Sequence, residues 1–333
     1  MLFVISMHGP ARRGPYKDGL AGIRGSGRCG HIRPRLAPEA VDLPPMYKPL
    51  SLQKLRALLN PLLFHCPSHP SSYAPVFEIL TGSNVLKLGR QVHAFITLRG
   101  IEPNAFLGAK MVAMYASSDD LDSAVFIYRQ IKNPNRLLYN AIVRGYAKYG
   151  CSQECVEVYR FMHTGGLSGD NFTVPFVLKS CADIGSLWMG MCVHGQSLRG
   201  GCDLDMYVGT SLIDMYVKCS EVGDARNVFE EMLERDASSW NALINGYMKA
   251  GDVGLAEELF RVMPCRNIIS WTAMVSGYTQ NGLGEEALRV FDEMLKEESE
   301  VKPNWVTVMS VLPSCTHSAA LERGLQGIVS KRA

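Results

Sequence analysis

The chain has no run of about 18 apolar residues, although 47% of its 333 residues are apolar. That lack excludes a membrane-spanning helix and still leaves ample material for a buried core. No CxxC pair occurs among the ten cysteines, so a paired-thiolate metal site is not expected. Cys151 and Cys155 make a CxxxC pair, but Cys151 falls in an expected inter-helix turn, and no metal is assigned there. The cysteines are irregularly spaced, and Cys181, Cys192, Cys219 and Cys315 sit on predicted helices. Such usage fits buried thiols in a reducing compartment. Acidic residues are scarce at the start: residues 1–45 hold only Asp18, Glu39 and Asp42.

The net charge of +2 conceals an asymmetry. Residues 1–69 carry ten Lys/Arg against three Asp/Glu, whereas the remainder holds 24 basic and 29 acidic residues. A nucleic-acid binder with an acidic average must gather its cations on one face. The plainer reading is a solvated surface of mixed charge. Residues 1–45 show no helical or strand period and read as a disordered leader. Their Arg-rich, acid-poor composition is that of an organellar transit peptide, although serine is sparse. Residues 46–69 read as a capping helix, with Leu52, Leu55, Leu58, Leu59, Leu62 and Leu63 on one face. Pro61 is expected to end or kink it after Asn60.

The stretch Ala237–Asn267 organises the rest. Trp240, Leu243, Ile244 and Tyr247 recur at helical spacing, Gly251-Asp252 breaks the run, and Leu255, Ala256, Leu259, Phe260 and Met263 resume it. Pro264 is expected to close the second helix. Two amphipathic helices this short need neighbours built the same way. A shift of 31 lays Gly246, Tyr247, Gly251, Ala256, Phe260 and Met263 onto Gly277, Tyr278, Gly282, Ala287, Phe291 and Met294. A shift of 101 joins Asn140, Gly145, Tyr146, Lys148 and Gly150 to Asn241, Gly246, Tyr247, Lys249 and Gly251. The same shift joins Gly89, Val92, His93, Met114, Tyr115 and Ala124 to Gly190, Val193, His194, Met215, Tyr216 and Ala225.

The predicted units are 70–104, 105–135, 136–170, 171–205, 206–236, 237–267 and 268–304, with a partial unit over 305–333. Each is helix–turn–helix, its turn near Gly150, Gly251 or Gly282 where these occur. Stacked, the units make an all-α fold, an α-solenoid superhelix. The extra residues of the last full unit fall in the charged Lys296–Glu300 segment, expected to be a loop.

SWNALINGYMKAG from Ser239, SWTAMVSGYTQNG from Ser270, FTVPFVLKSCADIGSLWMGMCVHG from Phe172 and VGTSLIDMYVKCSEVGDARNVFEEM from Val208 carry a family resemblance. The array, from residue 70 to 326, resembles the plant pentatricopeptide-repeat proteins that alternate P-, L- and S-type units. The resemblance implies recognition of single-stranded RNA, one base per unit, read by the fifth and last residues. These are Asn140 with Asp170, Thr210 with Asp236, Asn241 with Asn267, and Thr272 with Asn304. Small Thr suits a purine and Asn a pyrimidine. Asp accepts from the ring N–H of uracil or guanine, while Asn donates to the ring nitrogen of cytosine or adenine. The four units then read U, G, C or U, and A. Ala109 with Asn135 reads poorly, and Ala74 and Pro175 cannot read a base edge. Taken singly, each Asn or Asp is better explained as a helix cap or turn residue; recurrence at this register favours reading.

The family's second position supplies an apolar residue that grips bases from the side, matching Leu137 and Ile269, whereas Ser238 departs from it. Lys148, Lys218 and Lys249 share the thirteenth position, where a cation meets phosphate. Trp240, Trp271, Tyr146, Tyr247 and Tyr278 are read as packing residues. Many relatives end in a zinc cytidine deaminase, whose chemistry needs His-x-Glu and CxxC. No histidine here is followed two places on by glutamate, so no enzyme, metal or cofactor is expected.

The resemblance ends near Gln326, inside a unit, and the sequence reads as truncated before any such extension. It implies a monomer, free of membranes, that binds RNA in the mitochondrion or chloroplast and selects a C-to-U editing site. The deaminase or other editing factors would come in trans. Transcript stabilisation, splicing or processing, or a protein-binding scaffold, are the alternatives.

Overall fold

The computed structural model describes residues 69–81, 86–202, 205–296 and 301–317, all within a body running from Pro49 to Ala333. The expected leader, nearly all of the expected capping helix, residues 297–300 of the segment expected to be a loop and the end of the partial unit lie outside the described residues. Every regular element described is helical. After a short 3₁₀ turn at Pro70–Tyr73, the helices come in pairs. They are α1 (Ala74–Thr81) with α2 (Leu86–Leu98), α3 (Ala105–Ser117) with α4 (Leu121–Gln130), and α5 (Arg136–Lys148) with α6 (Ser152–Thr164). Next come α7 (Val174–Asp183) with α8 (Leu187–Gly200), and α9 (Met206–Lys218) with α10 (Val222–Glu231). The last pairs are α11 (Ala237–Ala250) with α12 (Val253–Val262), and α13 (Ile268–Gln280) with α14 (Gly284–Lys296). A lone first helix, α15 (Trp305–His317), follows.

The packing is that of an α-solenoid: each first helix packs on its own partner and on the first helices before and after it. One apolar core runs through the whole stack, and it takes in the Tyr146, Tyr247, Trp271 and Tyr278 side chains as expected.

The turn between the two helices of a unit has one geometry in the six units from 105 to 304. Its fifteenth residue takes a left-handed conformation at Gly150, Gly185, Gly251 and Gly282, and equally at Asp119 and Ser220. The next amide closes back on the carbonyl five residues earlier, as in Cys151 N to Tyr146 O at 3.0 Å and Leu283 N to Tyr278 O at 2.9 Å. Glycine therefore marks the turn without being required by it. Asp119 offsets its strained conformation with contacts from the next unit: the Tyr149 hydroxyl donates to its carboxylate at 2.8 Å and Lys148 at 3.0 Å.

The second helix of 237–267 ends at Val262, with Met263 extended immediately before Pro264, the conformation a proline imposes on the residue before it. Helix α10 ends the same way at Glu231, with Met232 extended and no proline following. In both, the methionine leaves the helix and is buried in the core. An arginine then caps the freed carbonyls: Arg235 donates to Phe229 O at 2.7 Å and Glu230 O at 2.8 Å. Arg266 repeats this on Phe260 and Arg261. The phenylalanine of each trio meets a tryptophan of the following helix edge to face, Phe229 with Trp240 at 4.8 Å and Phe260 with Trp271 at 4.9 Å. Such a pair adds roughly 0.5–1.5 kcal/mol to a joint between units.

Cys155 and Cys181 are buried, and burial pushes their thiols up to about 11 and about 12. Cys219 lies one residue beyond its expected helix, as the C-cap of α9. Among the described residues no helix is long and apolar enough to cross a membrane, and no His, Cys, Asp or Glu group is arranged for a metal.

Candidate nucleic-acid interface

The last residue of each unit is an acceptor at the start of the next first helix. Asn104, Asn135, Asp236 and Asn267 are N-caps whose side chains accept the amide three residues on. Asp170, Asp205 and Asn304 accept the corresponding amides of Thr173, Val208 and Thr307. Free N–H groups at a helix start demand such an acceptor, which is why Asn and Asp recur there. The cap uses one side-chain oxygen. Asp236 accepts from Ser239 N through Oδ1 at 2.9 Å, and its Oδ2 has no partner among the described residues. Asn267 and Asn304 likewise cap through Oδ1 and keep Nδ2 free among the described residues. Capping and reading are thus compatible in one side chain.

The fifth residue comes to the same place from the middle of the first helix. Asn140 Nδ2 donates to both Asp170 oxygens, at 3.2 and 3.1 Å, and Asn241 Nδ2 to Asn267 Oδ1 at 3.4 Å. Two expected pairs are therefore in direct contact. Thr210 with Asp236 and Thr272 with Asn304 share no direct bond among the described residues. The Thr272 hydroxyl instead meets Thr307 at 2.7 Å. Thr210 Oγ1 and Asn241 Oδ1 are buried without any partner among the described residues. An unsatisfied buried polar atom is costly unless a ligand completes it.

Both atoms' residues line a groove of about 460 Å³ that crosses four successive first helices. Helix α7 supplies Pro175, Phe176 and Lys179, α9 supplies Thr210, Ser211 and Asp214, and α11 supplies Ser238, Asn241, Ala242 and Asn245. Ile269 of α13 closes it. Counted by unit, these are the second, fifth, sixth and ninth residues, so the same face of these successive first helices is presented. The sixth and ninth residues were not singled out from the sequence. Their signal is helical: five, nine and two share a stripe.

The second residues form a row of exposed side chains. Leu137 and Ile269 stand exposed in it, as do Phe106, Phe172, Tyr207 and Val306. Phe172 and Tyr207 are 69% and 70% exposed, unusual for aromatics with no partner to cover them. Sequence reasoning missed these four, although the same period places them. Ser238 is the gap in the row.

The three thirteenth-position lysines are not alike. Lys148 donates to Ala116 O and Ser117 O, each at 3.1 Å, and pairs with Asp119. Lys218 lies 2.9 Å from Asp214 and 3.8 Å from Asp183. Lys249 is exposed with no partner among the described residues. Lys179, in the groove, is equally free among the described residues, and the Arg144 guanidinium sits 5.8 Å from the Phe176 ring.

The PPR repeat family model matches residues 138–167, 210–236, 238–268 and 269–299. The chain is 34% identical to the Arabidopsis thaliana pentatricopeptide repeat-containing protein At3g12770 over 277 residues, covering 82% of this chain and 35% of that protein. It is 44% identical to At2g20540 of the same plant over 236 residues, covering 71% of this chain and 44% of the relative. The chain therefore spans less than half the length of these relatives. Among solved structures, the pentatricopeptide repeat protein PPR10 in complex with an 18-nt psaJ RNA element superposes with a TM-score of 0.66 at 20% identity, over 83% of this chain and 42% of that one. PPR10 from maize gives a TM-score of 0.62 at 21% identity, over 79% and 38%. With four units matched as PPR repeats, plant relatives of that name and the same fold in solved structures, this chain is a pentatricopeptide-repeat protein of plant type.

Proposed function

We propose that the chain binds single-stranded RNA sequence-specifically, one base per unit, and selects a C-to-U editing site in a plant organelle for a deaminase supplied in trans. The observation that carries this reading is the convergence of fifth and last residues, with Thr210 Oγ1 and Asn241 Oδ1 unpartnered among the described residues and both residues lining a groove shared by successive units. A base edge supplies the donors and acceptors those atoms lack. The units at 136–170, 206–236, 237–267 and 268–304 then read U, G, C or U, and A. The exposed row from Phe106 to Val306 grips bases between units, with Leu137 and Ile269 in it. Lys249 meets phosphate directly; Lys148 and Lys218 do so by exchanging an ion pair for it.

The complex of PPR10 with an RNA element supports the ligand class. Relatives named as chloroplastic or mitochondrial support an organellar site of action. The alternation of 35- and 31-residue units supports the P-L-S subclass, with 70–104 and 171–205 as L-type.

Selection of a random 16-nucleotide RNA pool on the full chain tests the binding, and the expected result is one enriched motif containing U, G, a pyrimidine and A in register. Enrichment without a motif, or none, defeats base reading and leaves the scaffold role. The organellar transcriptome of a loss-of-function plant then separates editing, seen as an unedited cytidine, from processing, seen as altered transcript ends or splicing.

A further inference from the structure

We propose that the third residue of a unit positions the base-reading pair of the unit before it, threonine there closing the pair and serine leaving it open. The proposal rests on the RNA-reading function above. Thr173, Ser239, Ser270 and Thr307 all occupy this position, and all four are fully buried. Their hydroxyls behave in two ways.

The threonines bridge. Thr173 Oγ1 bonds Asn140 Oδ1, the fifth residue, and Asp170 Oδ1, the last, at 2.9 Å. Thr307 Oγ1 meets Thr272 Oγ1 at 2.7 Å and donates to Asn304 Oδ1 at 3.1 Å. The serines do not. Ser270 reaches only Asn267, through Oδ1 at 3.0 Å and the backbone N–H at 3.2 Å, and Asn241 Oδ1 stays unpartnered. Ser239 turns to the Asp236 backbone carbonyl at 2.8 Å, away from the carboxylate, and Thr210 Oγ1 stays unpartnered.

The difference follows from the side chains. A methyl on Cβ restricts the threonine rotamer in a helix, whereas serine turns freely to a nearby acceptor. A bridged pair is held in one arrangement: Asn140 keeps Nδ2 on Asp170 and Oδ1 on Thr173. It therefore shows a base one fixed pattern, and preorganisation of that kind sharpens discrimination. In the open pair Asn241 is held only by its long 3.4 Å bond from Nδ2 to Asn267, and Oδ1 is unpartnered among the described residues; that looser hold suits the unit at 237–267, read as C or U.

Two variants of the full chain test this on the random 16-nucleotide pool, with Asn140→Ala and Asn241→Ala first locating the nucleotide each unit reads. Thr173→Val removes the hydroxyl and keeps the branched shape. It should flatten preference at the nucleotide of 136–170 by about two- to tenfold, the weight of one hydrogen bond. Ser270→Thr should narrow the choice at the nucleotide of 237–267 by a similar factor. All other nucleotides keep their profiles. A uniform loss of binding is what a purely structural cap produces, and it leaves preferences intact. Either variant, folded by its circular dichroism melt yet unchanged in profile, overturns the proposal, and one folded variant suffices. A wild-type chain that enriches no motif defeats the RNA-reading function, a failure visible before any variant is made.

Discussion

Replacing Asp236 by Asn separates its two duties atom by atom. Oδ1 caps α11 by accepting from Ser239 N at 2.9 Å, and Oδ2 is free among the described residues. Asparagine and aspartate are equivalent caps, so the variant should unfold within about 0.5 kcal/mol of wild type. Only the second atom changes, from an acceptor to an N–H donor. Guanine N1–H then loses its acceptor, while adenine N1 gains a donor. Preference at this one nucleotide should move from G towards A by about 1–3 kcal/mol, or roughly five- to 150-fold, on the scale of DNA base-edge contacts. Removing a negative charge also strengthens binding to every RNA, but the A-to-G ratio cancels that gain. The assay is fluorescence anisotropy on four 16-nucleotide RNAs that differ at that position, at one fixed low salt. Asp236→Ala is the control: it should cost about 1 kcal/mol of cap stability and abolish the preference as well. If Asp236→Asn weakens G- and A-containing RNAs alike, Asp236 is a cap and nothing more, and the reading of all four units fails with it.

A methyl added at Gly277 would sit 2.4 Å from Met248 Cγ and 2.8 Å from its Cβ, while one at Gly145 meets Ala116 Cβ at 3.2 Å. Gly277→Ala should therefore overpack by about 1–3 kcal/mol, more than offsetting the roughly 1 kcal/mol alanine gains in a helix, and Gly145→Ala should be near neutral. Hydrogen exchange reads the effect locally, in α11 and α13 for Gly277→Ala and in α3 and α5 for Gly145→Ala; equal loss of protection in the two variants counts against the close approach. Lys249→Ala should weaken all RNAs about equally and lower the salt slope by roughly 0.7. Lys148→Ala should lower the slope by less than Lys249→Ala, because its ammonium gives up the Asp119 pair to meet phosphate, and should also lower the melting temperature by uncapping Ala116 and Ser117; an unchanged slope would show that the ion pair does not yield.

Burial holds His93 below its usual value, and its Nδ1 lies 3.0 Å from the Tyr115 hydroxyl, itself pushed up to about 12 by burial. The unfolded chain therefore takes up the His93 proton first as pH falls. Stability from this joint is complete above about pH 6.5 and is lost as pH drops through the lower folded value. Melting temperature should fall between about pH 7.5 and 5.5, and His93→Asn should shrink the fall; an equal fall in both proteins rules His93 out as its source.

Much of the fold was legible because the units are local. Apolar residues at helical spacing, a break every 31 or 35 residues and identities at shifts of 31 and 101 decide helix pairs and their stacking without reference to anything distant. The last residues of the units were legible as caps for the same reason: Asn and Asp recur at one register because every first helix needs an acceptor there. The rest depended on contacts between units, whose sequence signals are weak. Asp119 and Ser220 hold the turn that glycine holds elsewhere, so a search for glycine alone misses those two turns. Three lysines at one position look equivalent in the sequence. Stacking draws Lys148 to an acid and carbonyls of the preceding unit, Lys218 is held chiefly by Asp214 four residues back on its own helix, and Lys249 is left free among the described residues. Whether a hydroxyl at the third position bridges a reading pair or turns to its own cap is likewise decided across the joint, by which side chain of the preceding unit lies within reach. Periodicity along the chain determined what each unit is; the packing of one unit on the next decided which polar atoms remain free to meet a ligand.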